Sequence, residues 1–154
     1  NSKLIIKLPT KKDIDYVEHL FNINKVKESI SCLPPEKEFI NHLSLYQKID
    51  IALDTFPWNG VTTSFESIWM GVPVVTMKGY NFNSRCGESI NRNIKMDELI
   101  ALDEDDYIKK AVNLATNKDY LTSIRKKIYN EAIISPLFNA DKFSRDFFNL
   151  LKKL

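Results

Sequence analysis

Four strand-length apolar runs, at residues 3–8, 26–33, 49–53 and 72–77, alternate with stretches whose apolar residues recur at helical spacing. Those stretches carry Ile14, Val17 and Phe21, then Phe39, Leu43 and Tyr46, then Phe65, Ile68 and Trp69. Each set lies on one face of a helix, so each helix has one side to bury. The order βαβαβαβ returns the chain to the same end of a sheet before each new strand, which makes the strands parallel. Residues 49–53 and 72–75 are nearly continuous in apolar character, as strands covered on both faces are. The pattern predicts an α/β, Rossmann-like three-layer domain with a parallel sheet.

In the second half helices take over. Tyr107, Ile108, Ala111, Val112 and Ala115 suit one helix and Tyr120, Leu121, Ile124 and Ile128 another. After the breaker Ser135-Pro136, Phe143, Phe147, Leu150, Leu151 and Leu154 form the stripe of a terminal helix, with burial as its expected fate. With 154 residues, 44% of them hydrophobic, residues 1–154 are expected to form one domain or most of one. Asp103 to Asp106 read as first-turn acids paired with Lys109 and Lys110, and Lys126-Lys127 and Lys152-Lys153 as solvated faces.

Charge and cysteine usage narrow the function classes. Lys plus Arg number 22 against 20 Asp plus Glu, so there is no global pull toward nucleic acid or anionic lipid. No apolar run approaches the ~20 residues of a membrane helix, and Asn1-Ser2-Lys3-Leu4 lacks the order of a signal peptide. Cys32 and Cys86 are far apart, without ligand spacing, and read as buried thiols of a reducing, cytoplasmic compartment. The chain does not begin with Met and enters an apolar run at once, which reads as an excerpt of a longer protein.

In an open parallel sheet, ligands bind beyond the carboxyl ends of the strands, where loops lead into helices. Residues 9–12, 34–37, 55–63 and 78–85 occupy such places. The third is the most informative, because Pro57 and Gly60 shape a turn and Thr62, Thr63 and Ser64 then open a helix. A helix N-terminus presents unpaired N–H groups and a partial positive charge, so a phosphate is stabilised there without Lys or Arg. The dipole offers ~0.3–1 kcal/mol and each hydrogen bond to a charged oxygen ~1.5–3 kcal/mol. Glu66, four residues past Thr62, shares its face and suits ribose hydroxyls. Thr63-Ser64-Phe65-Glu66 equally matches a capping box, which needs no ligand, and spacing alone admits both. Neither GxGxxG nor the P-loop pattern occurs.

His42, early in the second helix, suits packing on a flat base or a rim position satisfied by neighbouring backbone. Asn83 or Ser84 is expected to cap the helix after the fourth strand, with Arg85 facing an anion or a core carboxylate. No nucleophilic triad or acid/base carboxylate pair can be assembled, so no catalytic residue is assigned.

Four blocks in order carry a resemblance. They are residues 50–63 (Asp-Ile-Ala-Leu-Asp-Thr-Phe-Pro-Trp-Asn-Gly-Val-Thr-Thr), residues 66–76 (Glu-Ser-Ile-Trp-Met-Gly-Val-Pro-Val-Val-Thr), Ser84-Arg85, and Ser135-Pro136-Leu137-Phe138. Together they resemble the C-terminal catalytic region of the O-linked N-acetylglucosamine transferase and SPINDLY family over nearly the whole chain. The resemblance implies the C-terminal half of a GT-B glycosyltransferase, whose two Rossmann-like halves enclose a nucleotide sugar. It implies donor contacts at Pro34 and Pro35 (base-contacting backbone), His42 (base), Val61, Thr62 and Thr63 (diphosphate) and Glu66 (ribose), with Asn59, Gly60 and Arg85 also donor-binding. Many members carry Asp where Glu66 stands. The phosphate-contacting Lys and most acceptor-binding and catalytic groups of such enzymes lie ahead of this region, as do tetratricopeptide repeats.

The implied reaction is transfer of N-acetylglucosamine from UDP-GlcNAc to Ser or Thr hydroxyls of an acceptor protein, with no required metal or cofactor. The partners implied are the nucleotide sugar, the acceptor and the missing N-terminal half, with no nucleic acid and no membrane. Another donor such as GDP-fucose, or a non-catalytic interaction module built on the Phe-rich final helix, remains open.

Overall fold

The computed structural model describes residues 2–153, and every strand pair in it is parallel. It divides into two units, Asn1–Leu45 and Tyr46–Leu154.

The first unit is β1 (Leu4–Lys7), α1 (Lys11–Ile23), β2 (Ile30–Leu33) and α2 (Phe39–Ser44). β1 and β2 run in register from Leu4 opposite Ile30 to Lys7 opposite Leu33. The apolar run at 26–33 becomes strand only from Ile30, because Lys25 takes a φ of 58° and Lys27–Ser29 close a 3-10 turn. α1 starts with a full capping box: Thr10 Oγ1 accepts from Asp13 N–H, and the Asp13 carboxylate accepts from Thr10 N–H, both at 3.2 Å.

The second unit holds β3 (Ala52–Leu53), α3 (Thr62–Trp69), β4 (Val74–Met77), α4 (Cys86–Asn93), β5 (Ile100–Ala101), α5 (Glu104–Thr116), α6 (Lys118–Ile134) and α7 (Ala140–Leu151). β4 lies between β3 and β5, with Ala52 opposite Val74 and Thr76 opposite Ile100. Its residues Val74 to Thr76 are buried, and Ile68, Ile90, Ile94, Met96, Leu99, Leu114, Ile124 and Ile128 pack around it. Each such side chain contributes about 1.5–3 kcal/mol by leaving water. Phe138 extends this core outward, its ring 5.7 Å from Phe65 and 5.1 Å from Trp69.

Several expectations are corrected. Of the two strands read as covered on both faces, only β4 is: Leu53 of β3 is 46% exposed, at the edge of its ladder. β5 went unread, since two residues show no period. Cys32 and Cys86 are free but half-buried rather than buried. Phe143, Phe147 and Phe148 on α7 are 67%, 48% and 62% exposed, because in this unit α7 packs mainly on the 3-10 turn at Pro136–Phe138. Leu154, read as the end of the α7 stripe, lies outside the described residues. The acidic first turn of α5 is structural as expected, with Asp103 capping Asp106 N–H at 2.8 Å and Lys110 pairing with Asp106 at 2.9 Å. Lys127 is held by Glu98 at 2.6 Å rather than only solvated. No helix among the described residues is long and apolar enough to cross a membrane.

Candidate functional site

Side-chain capping separates the helix starts into two groups. α1, α5, α6 and α7 begin with a residue whose side chain accepts a first-turn N–H: Thr10, Asp103, Asn117 and Asn139. α2, α3 and α4, the helices that follow β2, β3 and β4, have no side-chain cap. Unpaired N–H groups at a helix start are satisfied by water or a ligand when no side chain does so. Residues 9–12 are thereby removed from the candidate loops, and the other three remain.

At α3 the helical residue is already Thr62, preceded by Val61. The capping box that the sequence admits at Thr63 does not form, because Thr63 lies inside the first turn and Glu66 accepts from Tyr46. Ser64 Oγ donates to Gly60 O at 2.7 Å, and Glu66 Oε2 accepts the Tyr46 hydroxyl at 3.1 Å. Val61, Thr62 and Thr63 are exposed, and Glu66 is half-buried. The first turn of α3 is therefore open backbone flanked by two hydroxyls, with a carboxylate one turn on.

The turn in front of α3 is held from beneath by Asp54, a residue the sequence reading passed over. Asp54 Oδ1 accepts Gly60 N–H at 2.7 Å and Oδ2 accepts the Thr76 hydroxyl at 2.7 Å. Burial pushes its carboxyl up from the ordinary value, while the bonds from Thr76, Gly60 and Thr55 pull the other way. The Tyr107 hydroxyl donates to Asp54 O at 2.8 Å; burial first, then the charge of Asp54, push that phenol up to about 12, so it stays a donor. Asn59, assigned to the donor by resemblance, is 3% exposed and its amide is committed internally: Nδ2 donates to Thr55 O at 2.8 Å, and Oδ1 accepts Gly87 N–H at 3.2 Å. The Thr55 hydroxyl donates to Trp58 O, and Asn59 N–H to Asn83 O at 3.1 Å, which ties this loop to the one after β4.

Two glycines permit that packing. A Cβ on Gly60 would overlap Thr63 Oγ1, and one on Gly87 would overlap both Thr76 Oγ1 and Asp54 Oδ2.

At α4 the expected Asn83 or Ser84 cap is absent and Arg85 stands at the N-cap. Ser84 is buried and serves the preceding turn, its Oγ accepting from Tyr80 and Asn81 N–H at 3.0 and 3.2 Å. Arg85 takes the carboxylate alternative: its Nε donates to Glu88 Oε2 at 3.0 Å, while the side chain stays 54% exposed. Glu88 also meets Arg92 at 3.2 Å and Lys78 at 3.8 Å, and Arg92 meets Asp97 at 3.1 Å. Burial opposes ionisation of Glu88, but hydrogen bonds from Arg85 and Arg92 and the charges of Arg85 and Lys78 outweigh it and hold its carboxyl below the ordinary value. Three cations thus share two carboxylates, leaving the neighbourhood positive.

The first unit supplies the remaining candidates. Pro34 and Pro35 are exposed between β2 and the uncapped start of α2. His42 is half-buried, its ring 6.2 Å from that of Phe39. Its Nδ1 lies 2.6 Å from Lys7 Nζ. An ammonium only donates, so Nδ1 is the acceptor in this contact.

The model of glycosyl transferase family 41 matches residues 7–147. A probable UDP-N-acetylglucosamine–peptide N-acetylglucosaminyltransferase SPINDLY of Solanum lycopersicum is 35% identical over 114 residues, 74% of this chain and 12% of that protein. The UDP-N-acetylglucosamine–peptide N-acetylglucosaminyltransferase of Caenorhabditis elegans is 33% identical over 113 residues, 73% of this chain and 10% of that protein. Among solved structures, a mutant of Thermobaculum terrenum O-GlcNAc transferase superposes with a TM-score of 0.90 at 26% identity, covering 98% of this chain and 30% of the other. The chain therefore spans about a tenth of the curated relatives it matches. Its parallel strands with flanking helices are the Rossmann-like α/β organisation of the C-terminal half of a GT-B enzyme. On the family match across residues 7–147, the chain belongs to glycosyl transferase family 41.

Proposed function

We propose that residues 1–154 are the donor-binding part of a protein O-glycosyltransferase that moves N-acetylglucosamine from UDP-GlcNAc to Ser or Thr hydroxyls. The observation that carries the reading is the uncapped first turn of α3, exposed at Val61, Thr62 and Thr63 and braced by Asp54 through Gly60. That turn offers backbone amides and two hydroxyls to a diphosphate, and Glu66 offers an acceptor to the ribose. The family resemblance assigns Pro34, Pro35 and His42 to the base, and Arg85 supplies positive charge near α4. Asn59 acts from behind, through its bonds to Thr55 and Gly87. The names of the relatives, which specify peptide N-acetylglucosaminyl transfer, support the choice of donor and acceptor.

In this reading the leaving diphosphate is stabilised by fixed dipoles and cations, with no metal and no cofactor. The acceptor protein and the catalytic groups engage a preceding GT-B half and tetratricopeptide repeats, in a cytoplasmic protein. The isolated chain is inactive and binds UDP weakly. Calorimetric titration with UDP and GDP tests the donor: preference for UDP supports N-acetylglucosamine transfer, and preference for GDP moves the reading to a donor such as GDP-fucose. Appreciable sugar transfer by the isolated chain would refute the division of labour.

A second reading, a non-catalytic interaction module, draws on the exposed Phe143, Phe147 and Phe148 of α7. Replacing Thr62 and Thr63 by Ala in the complete protein separates the two. Loss of transfer with folding retained supports the donor site. Unchanged nucleotide binding supports the module.

A further inference from the structure

Tyr46 stands on the 3-10 turn Leu45–Lys48, and its hydroxyl approaches two acceptors of α3. Glu66 Oε2 is 3.1 Å away and Thr63 O is 3.4 Å away. Burial first, and then the charge of Glu66, push the phenol up to about 12 against the opposing bond with Ser67, so the hydroxyl is a donor at neutral pH. The shorter contact is to the carboxylate, and a hydrogen bond to a charged acceptor is the stronger kind. Thr63 O already receives the Ser67 hydroxyl at 2.8 Å. The phenol proton is thus assigned chiefly to Glu66.

This contact governs orientation. A glutamate side chain has three rotatable bonds and, on a half-exposed helix face, samples several rotamers. A phenol donor anchored in the preceding turn selects one of them. A carboxylate accepts at about four lone-pair sites, so a phenol and ribose hydroxyls can share it. We infer that Tyr46 is a positioning residue of the ribose subsite, fixing Glu66 through the 3.1 Å contact so that the carboxylate meets the ribose of a nucleoside diphosphate held on the first turn of α3. This inference rests on the donor-site reading above.

The test uses the complete protein and four ligands: UDP, GDP, the 2′-deoxy form of whichever binds more tightly, and pyrophosphate. Wild type is expected to prefer the ribonucleotide over its 2′-deoxy form by about tenfold or more, the scale of one hydrogen bond to a charged group. Tyr46→Phe should weaken the ribonucleotide about 3- to 10-fold while leaving the 2′-deoxy form and pyrophosphate within about twofold, so the preference collapses. Glu66→Gln should lose the same preference, and adding Tyr46→Phe to it should change nothing further, as for two residues acting through one contact. The inference is overturned if Tyr46→Phe keeps the wild-type preference, or if it weakens all ligands equally, which marks a structural role. Wild type that binds neither nucleotide overturns the donor reading itself, and wild type that binds without ribose preference removes Glu66 from the site while sparing the phosphate turn.

Discussion

Gly60→Ala separates the phosphate turn from the fold that carries it. The added Cβ would overlap Thr63 Oγ1 and come within 3.4 Å of Ser64 Oγ and 3.5 Å of Asp54 Oδ1. Only the first contact is a clash, and Thr63 is exposed, so its side chain escapes by changing rotamer at about 0.5–1.5 kcal/mol. Gly60 is not among the residues with positive φ, so alanine suits the backbone and returns about 0.4–1 kcal/mol through the unfolded chain. The net stability change is therefore within about 1 kcal/mol of zero. Binding responds differently. Thr63 is turned from the position that a phosphate oxygen would meet, forfeiting ~1.5–3 kcal/mol, or roughly 10- to 150-fold in Kd, and the methyl group obstructs the approach of the ligand to the turn. Titration with UDP and GDP beside a thermal melt reads both quantities. Thr63→Ala supplies the control: in its background Gly60→Ala should cost no stability, yet still weaken binding through the obstructed backbone. A Gly60→Ala variant that melts like wild type and binds nucleotide within about twofold of it would refute the placement of the diphosphate on this turn.

Other outcomes follow from the same contacts. Thr62→Ala with Thr63→Ala should weaken nucleotide binding with less than about 0.5 kcal/mol of stability lost in urea denaturation, because both residues are exposed and neither caps α3. Asn59→Ala should instead lose about 1–3 kcal/mol, since it strands Gly87 N–H and Thr55 O; equal effects in the two variants would contradict this division. Gly87→Ala, overlapping Thr76 and Asp54 in a buried site, should destabilise by about 3 kcal/mol in the same assay. Glu88 binds its proton less readily in the native state than in the unfolded chain, so its stabilisation is present above about pH 4.5 and is lost as pH falls through its depressed native value. The melting-temperature gap between wild type and Glu88→Gln should accordingly close on acidification below about pH 4.5; a gap constant across that range would show that the Arg85 and Arg92 contacts carry no such coupling.

Much of the fold was legible because burial writes a period into the chain. Ile14, Val17 and Phe21 mark α1, and the unbroken Val72 to Val75 marks β4, buried from Val74 to Thr76. The misreadings arose where the period is too short or the partner is not local. Ile100 and Ala101 are buried by β4 and α5, which no two-residue pattern discloses. Phe143 and Phe147 show a clear stripe that stays exposed, so a correct helix assignment carried an incorrect burial. Ser84 illustrates competition between local bonds: a hydroxyl one residue before a helix suits a cap, but here Tyr80 and Asn81 N–H claim it.

The site divides along similar lines. The groups proposed to meet a ligand are backbone amides, small hydroxyls and one carboxylate of α3, and the order strand, Gly, Thr, Thr, Glu raised them as candidates beside a capping box that needs no ligand. The groups that hold them were not read, because their roles depend on contacts distant in sequence. Asp54 reaches Thr76, Asn59 reaches Gly87, and Tyr107 closes on Asp54 O. Asp54 and Asn59 lie in the most diagnostic block of the sequence, yet their side chains point their chemistry inward. A family signature of this kind therefore records the bracing of a turn as much as the groups that the turn exposes. Substitutions at Asp54, Asn59 or Gly87 should move stability and binding together, whereas those at Thr62 and Thr63 should move binding alone, and that difference distinguishes a turn shaped to receive a ligand from one that merely ends a strand.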